Sequence, residues 1–279
     1  FRSGQEEIIN SILDKKNILA VMPTGAGKSL CYQIPALIFS RGTIVVSPLV
    51  ALMDDQILAL KENGIAADRI HSHRSEELNK ETLNNFKTGK IKILYLSPEN
   101  LMSEKTLNEL SNTDIAMFAI DEAHCISKWG VSFRPQYEEL SKLSKIYPDA
   151  VIAGFTATAD KDTREDIIHK LSNYNSKIFV QGFDRPNLSL AVEQKDDWKK
   201  QILIFLENKI NESGIIYCLS RKQTEDVSEF LNKKNYRAIP YHAGQESNVR
   251  KKNQEIFMNE NGVIMVATIA FGMGIDKSN

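Results

Sequence analysis

Short apolar runs recur through the first half of this chain, and each pair is separated by enough residues to form a helix. The runs occupy residues 18–21, 44–46, 93–96, 117–120 and 151–155. A strand that is apolar at nearly every position is covered on both faces, as in a parallel sheet flanked by helices. Strands that alternate with helices are joined by right-handed crossovers. The sequence therefore predicts an α/β fold with a mainly parallel sheet.

The same alternation restarts after a break at residues 182–197, where turn-forming and charged residues cluster. Beyond the break, the pattern predicts helices at 221–233 and 245–258 and strands at 215–219, 238–241 and 263–267. We therefore predict two domains, 1–181 and 182–279. An α/β domain usually continues past such a strand with a helix and more sheet, so we expect the second domain to lack its C-terminal part.

The first apolar run leads into Met22-Pro23-Thr24-Gly25-Ala26-Gly27-Lys28-Ser29. In a phosphate-binding loop, small residues let backbone N–H groups approach an anion, and the next helix adds its positive N-terminus. Gly25 and Gly27 occupy positions of close approach. Lys28 is expected to reach the β- and γ-phosphates, and Ser29 to ligate Mg²⁺. With Thr24 and Ala26, these residues form a predicted nucleoside triphosphate site.

One position departs from the general pattern of such loops. That pattern, G-x-x-x-x-G-K-[ST], has glycine where this chain has Met22. The alternative interpretation is a glycine-rich turn that contains a lysine by coincidence. The strand before the loop and the helix expected after it favour the phosphate loop.

An acidic motif, Asp121-Glu122-Ala123-His124, follows the run 117–120. Its carboxylates are expected at the carboxyl edge of the sheet, where ligands bind in open α/β folds. Asp121 is suited to hold Mg²⁺, directly or through water, and Glu122 to orient and deprotonate an attacking water. The alternative is an acidic helix N-cap. In combination with Lys28, the motif predicts a site that hydrolyses ATP with Mg²⁺.

The overall composition leaves the partner open. The formal net charge is −1, but a local basic groove is compatible with that value because net charge averages over all faces. Cys31, Cys125 and Cys218 lack metal-ligand spacing, so we interpret them as reduced thiols, at least half buried, in a cytosolic or nuclear protein. We expect neither a signal peptide nor a membrane span, which needs about 20 apolar residues. The start at Phe1, without an initiator Met, indicates a trimmed chain.

Together these motifs resemble those of superfamily 2 helicases, and within them the RecQ family of DNA helicases. Besides the two motifs above, the resemblance rests on residues 1–5, 47–56, 97–99, 125–137, 154–159, 217–221, 241–244 and 266–277. It implies two RecA-like P-loop domains. It also implies that the last helicase motif, with its arginine finger, would follow Asn279. Zinc-binding and winged-helix modules, which the family often carries, are expected to be absent from this chain.

The resemblance implies roles for single residues. Gln5 would read the adenine edge, Arg2 would lie near the base, and Asp276 would contribute to nucleotide binding from the second domain. His124 joins the catalytic set; we interpret it as a hydrogen-bonding link to Thr156 or Thr158, because no second ligand stands at metal spacing. DNA-binding or coupling roles are implied for Ser47, Ser97, Trp129, Phe133, Arg134, Thr156, Thr158, Ser220, Arg221, His242 and Thr268.

Aromatic and basic side chains are interleaved just after the predicted catalytic acid: Trp129, Phe133 and Tyr137, with Lys128 and Arg134. Aromatic faces stack on bases, at about 1–3 kcal/mol per base, and cations hold phosphates. The pattern therefore predicts a loop, supported by Gly130 and Pro135, that senses DNA and signals to Glu122. The alternative is that Trp129 and Phe133 belong to the core.

We predict an ATP-dependent helicase that translocates on single-stranded DNA and unwinds duplex DNA, held mainly by its backbone. The resemblance implies 3′ to 5′ polarity and a role in recombination or repair. The expected partners are single-stranded and duplex DNA and no membrane; protein partners are left open, and a monomer is compatible with the sequence. The expected location is the cytoplasm (the bacterial nucleoid) or the nucleus. Alternatives are an RNA helicase of the same superfamily, a small-molecule kinase, and a nucleotide- and DNA-binding fragment with weak turnover.

Overall fold

The computed structural model describes residues 1–48, 50–72, 74–129, 133–182, 188–209, 211–272 and 277. The chain divides into two compact units, Phe1–Pro186 and Asn187–Asn279. Each unit is an α/β structure with a parallel sheet, as the apolar runs predicted. The predicted break between the domains includes residues 183–187, which lie outside the described residues.

The strands of the first unit are β1 Ile18–Val21, β2 Gly42–Val46, β3 Ala67–Ile70, β4 Ile93–Leu96, β5 Ile115–Ile120, β6 Val151–Thr156 and β7 Lys177–Val180. In the part of this unit that the structure describes, they form one sheet in the order β3-β4-β2-β5-β6-β1-β7. Every residue of β5 is buried. Phe118 and Ile120 join the core on one face, while Met117 and Ala119 join the core on the other. Because both faces are covered, the runs are continuously apolar.

The helices of the first unit are α1 Gln5–Leu13, α2 Lys28–Ile38, α3 Val50–Glu62, α4 Glu76–Lys87, α5 Pro98–Leu101, α6 Glu104–Leu110, α7 Pro135–Glu138, α8 Leu143–Ile146 and α9 Lys161–Ser172. Short 3₁₀ turns occupy Ala123–Ile126 and Glu139–Lys142. The sequence spaces Leu49, Met53, Ile57 and Leu60 so that they share one helix face. Met53, Ile57 and Leu60 of α3 are buried, as this spacing predicts, and Leu49 lies outside the described residues.

The edge strands β3 and β7 were not predicted. In β3, Asp68 and Arg69 are partly exposed between buried Ala67 and Ile70, whereas in β7 only Phe179 is buried. Polar Asp68 and Arg69 interrupt the apolar residues of β3, while residues 178–180 of β7 form a short apolar run that we did not assign to a strand. Asp68 accepts hydrogen bonds from Arg74 (3.1 Å) and Thr82 (2.9 Å), which attach β3 to α4.

The second unit contains β8 Gly214–Tyr217, β9 Arg237–Tyr241 and β10 Val263–Ala267, with helices α10 Trp198–Leu206, α11 Arg221–Lys233 and α12 Ser247–Asn259. Its described strands pair in the order β8-β10-β9. The strands and helices that we predicted beyond residue 214 are confirmed within about two residues at each end, the usual uncertainty of element boundaries. Helix α10 was not predicted.

The cysteines are free and buried, as the spacing argument predicted. Burial raises the pKa of Cys31 to about 11, so this thiol stays neutral at physiological pH. None of the helices in the described ranges combines the length and apolar character that a bilayer span requires.

Two leucines in the first unit test the assignment of its core. Leu94 in β4 is fully buried (0% exposed), whereas Leu58 in α3 is 60% exposed. Leu94→Ala should lower the free energy of unfolding by about 2–5 kcal/mol, because it removes apolar contacts and leaves a cavity. Leu58→Ala should change the same free energy by about 0.5 kcal/mol or less. Urea denaturation followed by circular dichroism measures both values; equal costs would contradict the burial pattern.

Candidate active site

The phosphate loop has the strand–loop–helix context that the sequence predicts. It starts where β1 ends, and the N–H of Met22 donates to the Thr156 carbonyl at 2.9 Å. Gly25 (φ 79°) and Gly27 (φ 82°) adopt the left-handed conformation that favours glycine. Helix α2 then begins at Lys28. A loop of this shape at a helix N-terminus is suited to bind phosphate groups.

The side chain of Gln5 supports this loop from the side of α1. It is 2% exposed. Its Nε2 donates to the carbonyls of Ala26 and Gly27, both at 3.1 Å, while its Oε1 accepts from the N–H of Arg2 at 2.7 Å. A Cβ on Gly27 would lie 2.4 Å from Gln5 Nε2. The sequence gives no signal for this contact, and recognition of adenine by Gln5 stays a prediction.

Met22 explains the departure from the general loop pattern. Its side chain is fully buried and belongs to one of the two cores beside the sheet. Its sulfur lies 4.0 Å from the thiol sulfur of Cys31, and its carbonyl accepts from Lys28 Nζ at 3.4 Å. The position therefore holds a core side chain, and its backbone positions the lysine.

Asp121 and Glu122 stand at the carboxyl end of β5, as predicted. The N–H of Asp121 donates to the Val46 carbonyl at 2.9 Å, and Asp121 Oδ1 accepts from the N–H of Glu122 at 3.0 Å. Desolvation, followed by repulsion from Glu122, raises the pKa of Asp121 to about 6, although Lys28 and His124 act in the opposite direction. A carboxyl group in this environment needs a nearby cation to stay charged at low cost. Asp121 therefore fits as one ligand of a divalent metal, although the described residues contain no cluster of three or more His, Cys, Asp or Glu side chains that could hold one.

Glu122 has different surroundings. It adopts φ 50°, which is unusual for a residue other than glycine and marks a constrained position. Burial alone would raise its pKa, but the hydrogen bond and charge of His124, together with Lys28, hold the pKa of Glu122 below its ordinary value. Its side chain makes no helix-capping bond, so the capping alternative is wrong for Glu122. An ionised carboxylate here is suited to accept a proton.

The predicted hydrogen bond between His124 and Thr156 is present. His124 Nδ1 lies 2.8 Å from Thr156 Oγ1 and 3.2 Å from Glu122 Oε2. The Thr156 hydroxyl donates to the Thr158 carbonyl at 3.0 Å, so its oxygen accepts from the imidazole. Contact with the Cys125 thiol and with Glu122 raises the pKa of His124 to about 9. These groups form a continuous polar link from Glu122 to Thr158.

Residues 127–137, which we call the aromatic segment, follow directly after the 3₁₀ turn that contains His124. Residues 130–132, including Gly130, lie outside the described residues. Trp129 is 77% exposed, and Phe133 is half-buried with Lys128 Nζ 5.8 Å from its ring centroid. Arg134 Nη1 donates to the Pro48 carbonyl at 3.3 Å. Trp129 therefore has the exposure that stacking on a base requires.

Tyr137 corrects the sequence interpretation. We grouped it with the aromatic residues that contact DNA, but its side chain is fully buried. Its hydroxyl donates to the Asp121 carbonyl at 3.0 Å. Tyr137 therefore connects α7 to the backbone of Asp121. Its residue type alone does not distinguish this role from stacking. We offered burial in the core as the alternative for Trp129 and Phe133, and the structure instead places Tyr137 there.

The remaining predicted residues of the first unit lie around the same edge of the sheet. Ser47, just after β2, is buried. The hydroxyl of Ser97 caps α5 by accepting from the N–H of Asn100 at 3.3 Å. Arg2 and Thr24 are exposed, and Ser29 in the first turn of α2 is partly buried. Their predicted contacts with nucleotide, metal or DNA stay predictions.

In the second unit, the predicted residues follow the carboxyl ends of the three described strands. Ser220 caps α11 by accepting from the N–H of Gln223 at 3.2 Å. Exposed Arg221 lies against Gly244, where an added Cβ would be 3.0 Å from its guanidinium. Buried His242 pairs with Glu225 at 3.2 Å, and the hydroxyl of Thr268 accepts from the N–H of Ala270 at 3.4 Å. Asp276 lies outside the described residues.

Two family models match this chain. Residues 2–167 match the family described as DEAD/DEAH box helicase. Residues 194–279 match the family described as helicase conserved C-terminal domain. The first match covers the phosphate loop, the acidic motif, the aromatic segment and the Thr156 to Thr158 link.

Curated relatives extend over the whole chain. The ATP-dependent DNA helicase RecQ of Haemophilus influenzae is 46% identical over 279 residues, which are 100% of this chain and 45% of that protein. The protein of the same name from Bacillus subtilis is 43% identical over 281 residues, 100% of this chain and 48% of its own length. These matches confirm the resemblance to RecQ proteins. The chain spans less than half the length of these relatives.

Solved structures confirm the fold class. A structure of the helicase MrfA bound to DNA and AMPPNP aligns with a TM-score of 0.75 at 19% identity, covering 99% of this chain and 43% of that chain. The Mycobacterium smegmatis helicase Lhr, bound to single-stranded DNA and AMP-PNP, aligns with a TM-score of 0.67 at 19% identity, covering 98% of this chain and 40% of that one. At this identity the likeness concerns the fold, which is that of RecA-like helicase domains.

Gly27 and Gly64 provide a matched test of the loop. Both have left-handed φ, 82° and 73°, but an added Cβ meets Gln5 at Gly27 and nothing within 4 Å at Gly64. Both alanine variants should lose about 1–2 kcal/mol of stability from backbone strain. Gly27→Ala should in addition weaken nucleotide binding by about tenfold or more, equivalent to about 1.4 kcal/mol, because Gln5 or the loop must move. Titration with a fluorescent ATP analogue measures this; equal affinity in both variants would contradict the assignment.

Proposed function

This chain belongs to the DEAD/DEAH box helicase family, in its RecQ branch, and on that premise we propose that it is the motor core of an ATP-dependent DNA helicase. Its activity would be translocation on single-stranded DNA, coupled to unwinding of duplex DNA. We propose 3′ to 5′ polarity and a role in recombination or repair by analogy with the family. The proposed domains are 1–181 and 182–279. The proposed location is where genomic DNA lies, the bacterial nucleoid or the nucleus.

The observation that carries this proposal is the electrostatic arrangement around the phosphate loop. The Lys28 ammonium opposes the effect of burial on the pKa of both acids. The pKa of Asp121 still rises to about 6, whereas that of Glu122 falls below its ordinary value. A loop lysine, a desolvated acid and a second, ionised acid in one place are the groups that phosphoryl transfer from ATP to water requires. The contacts from Glu122 through His124 and Thr156 to Thr158 connect the acidic motif to the residues that precede α9.

The chain's own residues have separable tasks in hydrolysis. Lys28 and the loop backbone bind the phosphate groups, with Thr24, Gly25, Ala26 and Gly27 forming the loop. Ser29 and Asp121 would hold Mg²⁺, which neutralises phosphate charge when bound. Glu122 accepts a proton from the attacking water at a carboxylate oxygen, and His124 keeps that carboxylate oriented. Arg2, Gln5 and Asp276 are proposed to contact the nucleotide away from the reacting phosphate.

The proposed DNA contacts are mainly to the sugar-phosphate backbone and are independent of sequence. Trp129 is the strongest candidate for stacking on a base, because its indole is exposed beside Lys128 and close in sequence to Phe133 and Arg134. The other proposed contact or coupling residues are Ser47, Ser97, Thr156, Thr158, Ser220, Arg221, His242 and Thr268. Single-stranded and duplex DNA are the proposed partners.

Removal of the loop lysine tests the ATP site. Lys28→Ala should reduce ATP turnover by at least about 100-fold, because the ammonium stabilises charge that develops on the phosphates. Lys80→Ala, at an exposed lysine of α4, is the matched control and should leave turnover unchanged. Release of phosphate from Mg²⁺-ATP, with and without single-stranded DNA, measures the effect. Near-normal turnover of Lys28→Ala would reject the site.

Removal of the exposed indole tests the DNA sensor. Trp129→Ala should abolish most of the stimulation of ATPase activity by single-stranded DNA, because one stacked base is worth about 1–3 kcal/mol. Nucleotide affinity should be unchanged, and Trp129→Phe should retain part of the stimulation. Full stimulation in Trp129→Ala would reject the sensor role. The same assay with RNA distinguishes an RNA helicase, and indifference to both nucleic acids would favour a small-molecule kinase.

A further inference from the structure

Lys170 of α9 places its ammonium in a largely enclosed position among three acceptors. The side chain is 16% exposed. Its Nζ donates to the Ile126 carbonyl at 3.0 Å and lies 3.2 Å from Asp166 Oδ2 and 3.6 Å from Glu138 Oε1. A sheltered cation is costly unless oxygen atoms surround it, so this arrangement holds its neighbours in place. No motif that we identified in the sequence contains Lys170.

Two of these acceptors flank the aromatic segment. Ile126 ends the 3₁₀ turn that contains His124, and the aromatic segment begins at the next residue. Glu138 is the last residue of α7 and follows the aromatic segment directly. One ammonium group thus holds both ends of the aromatic segment, while Asp166, one turn earlier on α9, orients the lysine. Lys170 therefore adds a contact from α9 to both ends of the segment.

The same contacts extend into the aromatic segment. Glu138 Oε1 also pairs with Lys128 at 3.5 Å, and the Lys128 ammonium lies 5.8 Å from the centroid of the Phe133 ring. Lys170, Glu138, Lys128 and Phe133 therefore form a chain of charged and cation–π contacts. Lys128 is adjacent in sequence to Trp129, and Phe133 is adjacent to Arg134. Trp129, Phe133 and Arg134 are predicted DNA contacts.

Lys170 is also connected to the nucleotide side of the unit. Helix α9 starts at Lys161, three residues after Thr158, and Asp160 caps it by accepting from the N–H of Thr163 at 2.8 Å. Ile126, whose carbonyl accepts the hydrogen bond from Lys170, lies two residues beyond His124. The lysine therefore joins the helix that follows Thr156 and Thr158 to the turn that carries His124.

We propose that Lys170 is a positioning residue: it holds both ends of the aromatic segment against α9 and thereby sets how strongly DNA stimulates ATP hydrolysis. This inference rests on the proposed DNA-stimulated ATPase. Lys170 touches neither nucleotide nor the predicted DNA contacts. Its effect passes through Ile126 and Glu138.

The fold has other attachments for the aromatic segment, so loss of Lys170 should loosen it without unfolding the unit. The N–H of Arg134 donates to the Cys125 carbonyl at 2.9 Å, and buried Tyr137 holds α7 to Asp121 at 3.0 Å. The ends of the segment stay attached through these bonds, whereas the Lys128 side chain is connected to Lys170 through Glu138. A change in coupling is therefore separable from a change in folding.

The first experiment compares Lys170→Met with Lys161→Met in ATPase titrations with single-stranded DNA. Lys161 is on the same helix, and its side chain is 79% exposed beside Glu165. In Lys170→Met, the basal rate without DNA should stay within about twofold. The maximal DNA stimulation should fall about tenfold, as expected for loss of a hydrogen bond to a charged group. Lys161→Met should match the unmodified chain, and Lys170→Arg should recover part of the stimulation.

A second variant covers the case in which Lys170→Met folds poorly. Glu138→Gln leaves the contacts of Lys170 with Ile126 and Asp166 intact and removes the charge at the end of the aromatic segment. It should lower DNA stimulation in the same direction as Lys170→Met, with an unchanged basal rate and melting temperature. The positioning role would be overturned if both variants kept full DNA stimulation. It would also be overturned if Glu138→Gln lowered the basal and the stimulated rate equally.

Fluorescence of Trp129 provides a readout that does not need DNA or turnover. The chain has two tryptophans, so a Trp198→Phe background isolates Trp129. Lys170→Met should lower the fluorescence anisotropy of Trp129 and increase its quenching by acrylamide, while Lys161→Met should not. If the unmodified chain shows no DNA-stimulated ATPase, the proposed function fails, and this measurement still decides whether Lys170 orders the aromatic segment. Unchanged anisotropy in Lys170→Met would overturn the inference.

Discussion

The carboxylate of Asp121 is the group on which the geometry of the first unit depends. The central strand β5 carries it to the edge of the sheet, where desolvation raises its pKa to about 6. A charge in such a place is tolerated when cations and hydrogen bonds compensate it. The surrounding structure supplies these: Lys28 from the phosphate loop and the imidazole of His124, while the hydroxyl of Tyr137 holds the backbone carbonyl. Lys28 and His124 thereby offset part of the cost of burying this carboxylate.

Two routes of direct contact leave this acid pair. One passes from Glu122 through His124 and Thr156 to Thr158, which precedes α9. The other passes from the Asp121 backbone through Tyr137 to α7, at the end of the aromatic segment. Lys170 joins the two routes, because it stands on α9 and contacts both Ile126 and Glu138. The residues predicted to act on nucleotide and those predicted to contact DNA thus lie on packed elements joined by direct contacts, a physical basis for the proposed coupling that requires no contact between DNA and ATP.

Polar residues in helicase motifs also have structural tasks, and these explain why single-residue roles are hard to infer from sequence. Gln5 uses its amide on the loop carbonyls, Ser97 caps a helix, and His242 pairs with Glu225 while buried. Each satisfies a hydrogen-bonding group that would be costly to leave without a partner. A motif residue can therefore stabilise the local fold, contact a ligand, or do both. Its residue type alone does not separate these tasks.

Local patterns were sufficient for the core strands, the phosphate loop and the acidic motif, because continuous burial, left-handed glycines and strand-end carboxylates each leave a mark on a short stretch of sequence. The edge strand β3 left no such mark, since polar Asp68 and Arg69 interrupt its apolar residues, and the apolar run 178–180 of β7 is short and mostly exposed. Contacts between distant segments also escaped the sequence: Gln5 with Gly27, Tyr137 with Asp121, and Lys170 with both ends of the aromatic segment. These pairings arise when parallel strands bring separate loops to one edge of the sheet. Tertiary packing therefore specifies them, because no local periodicity encodes which loops become neighbours.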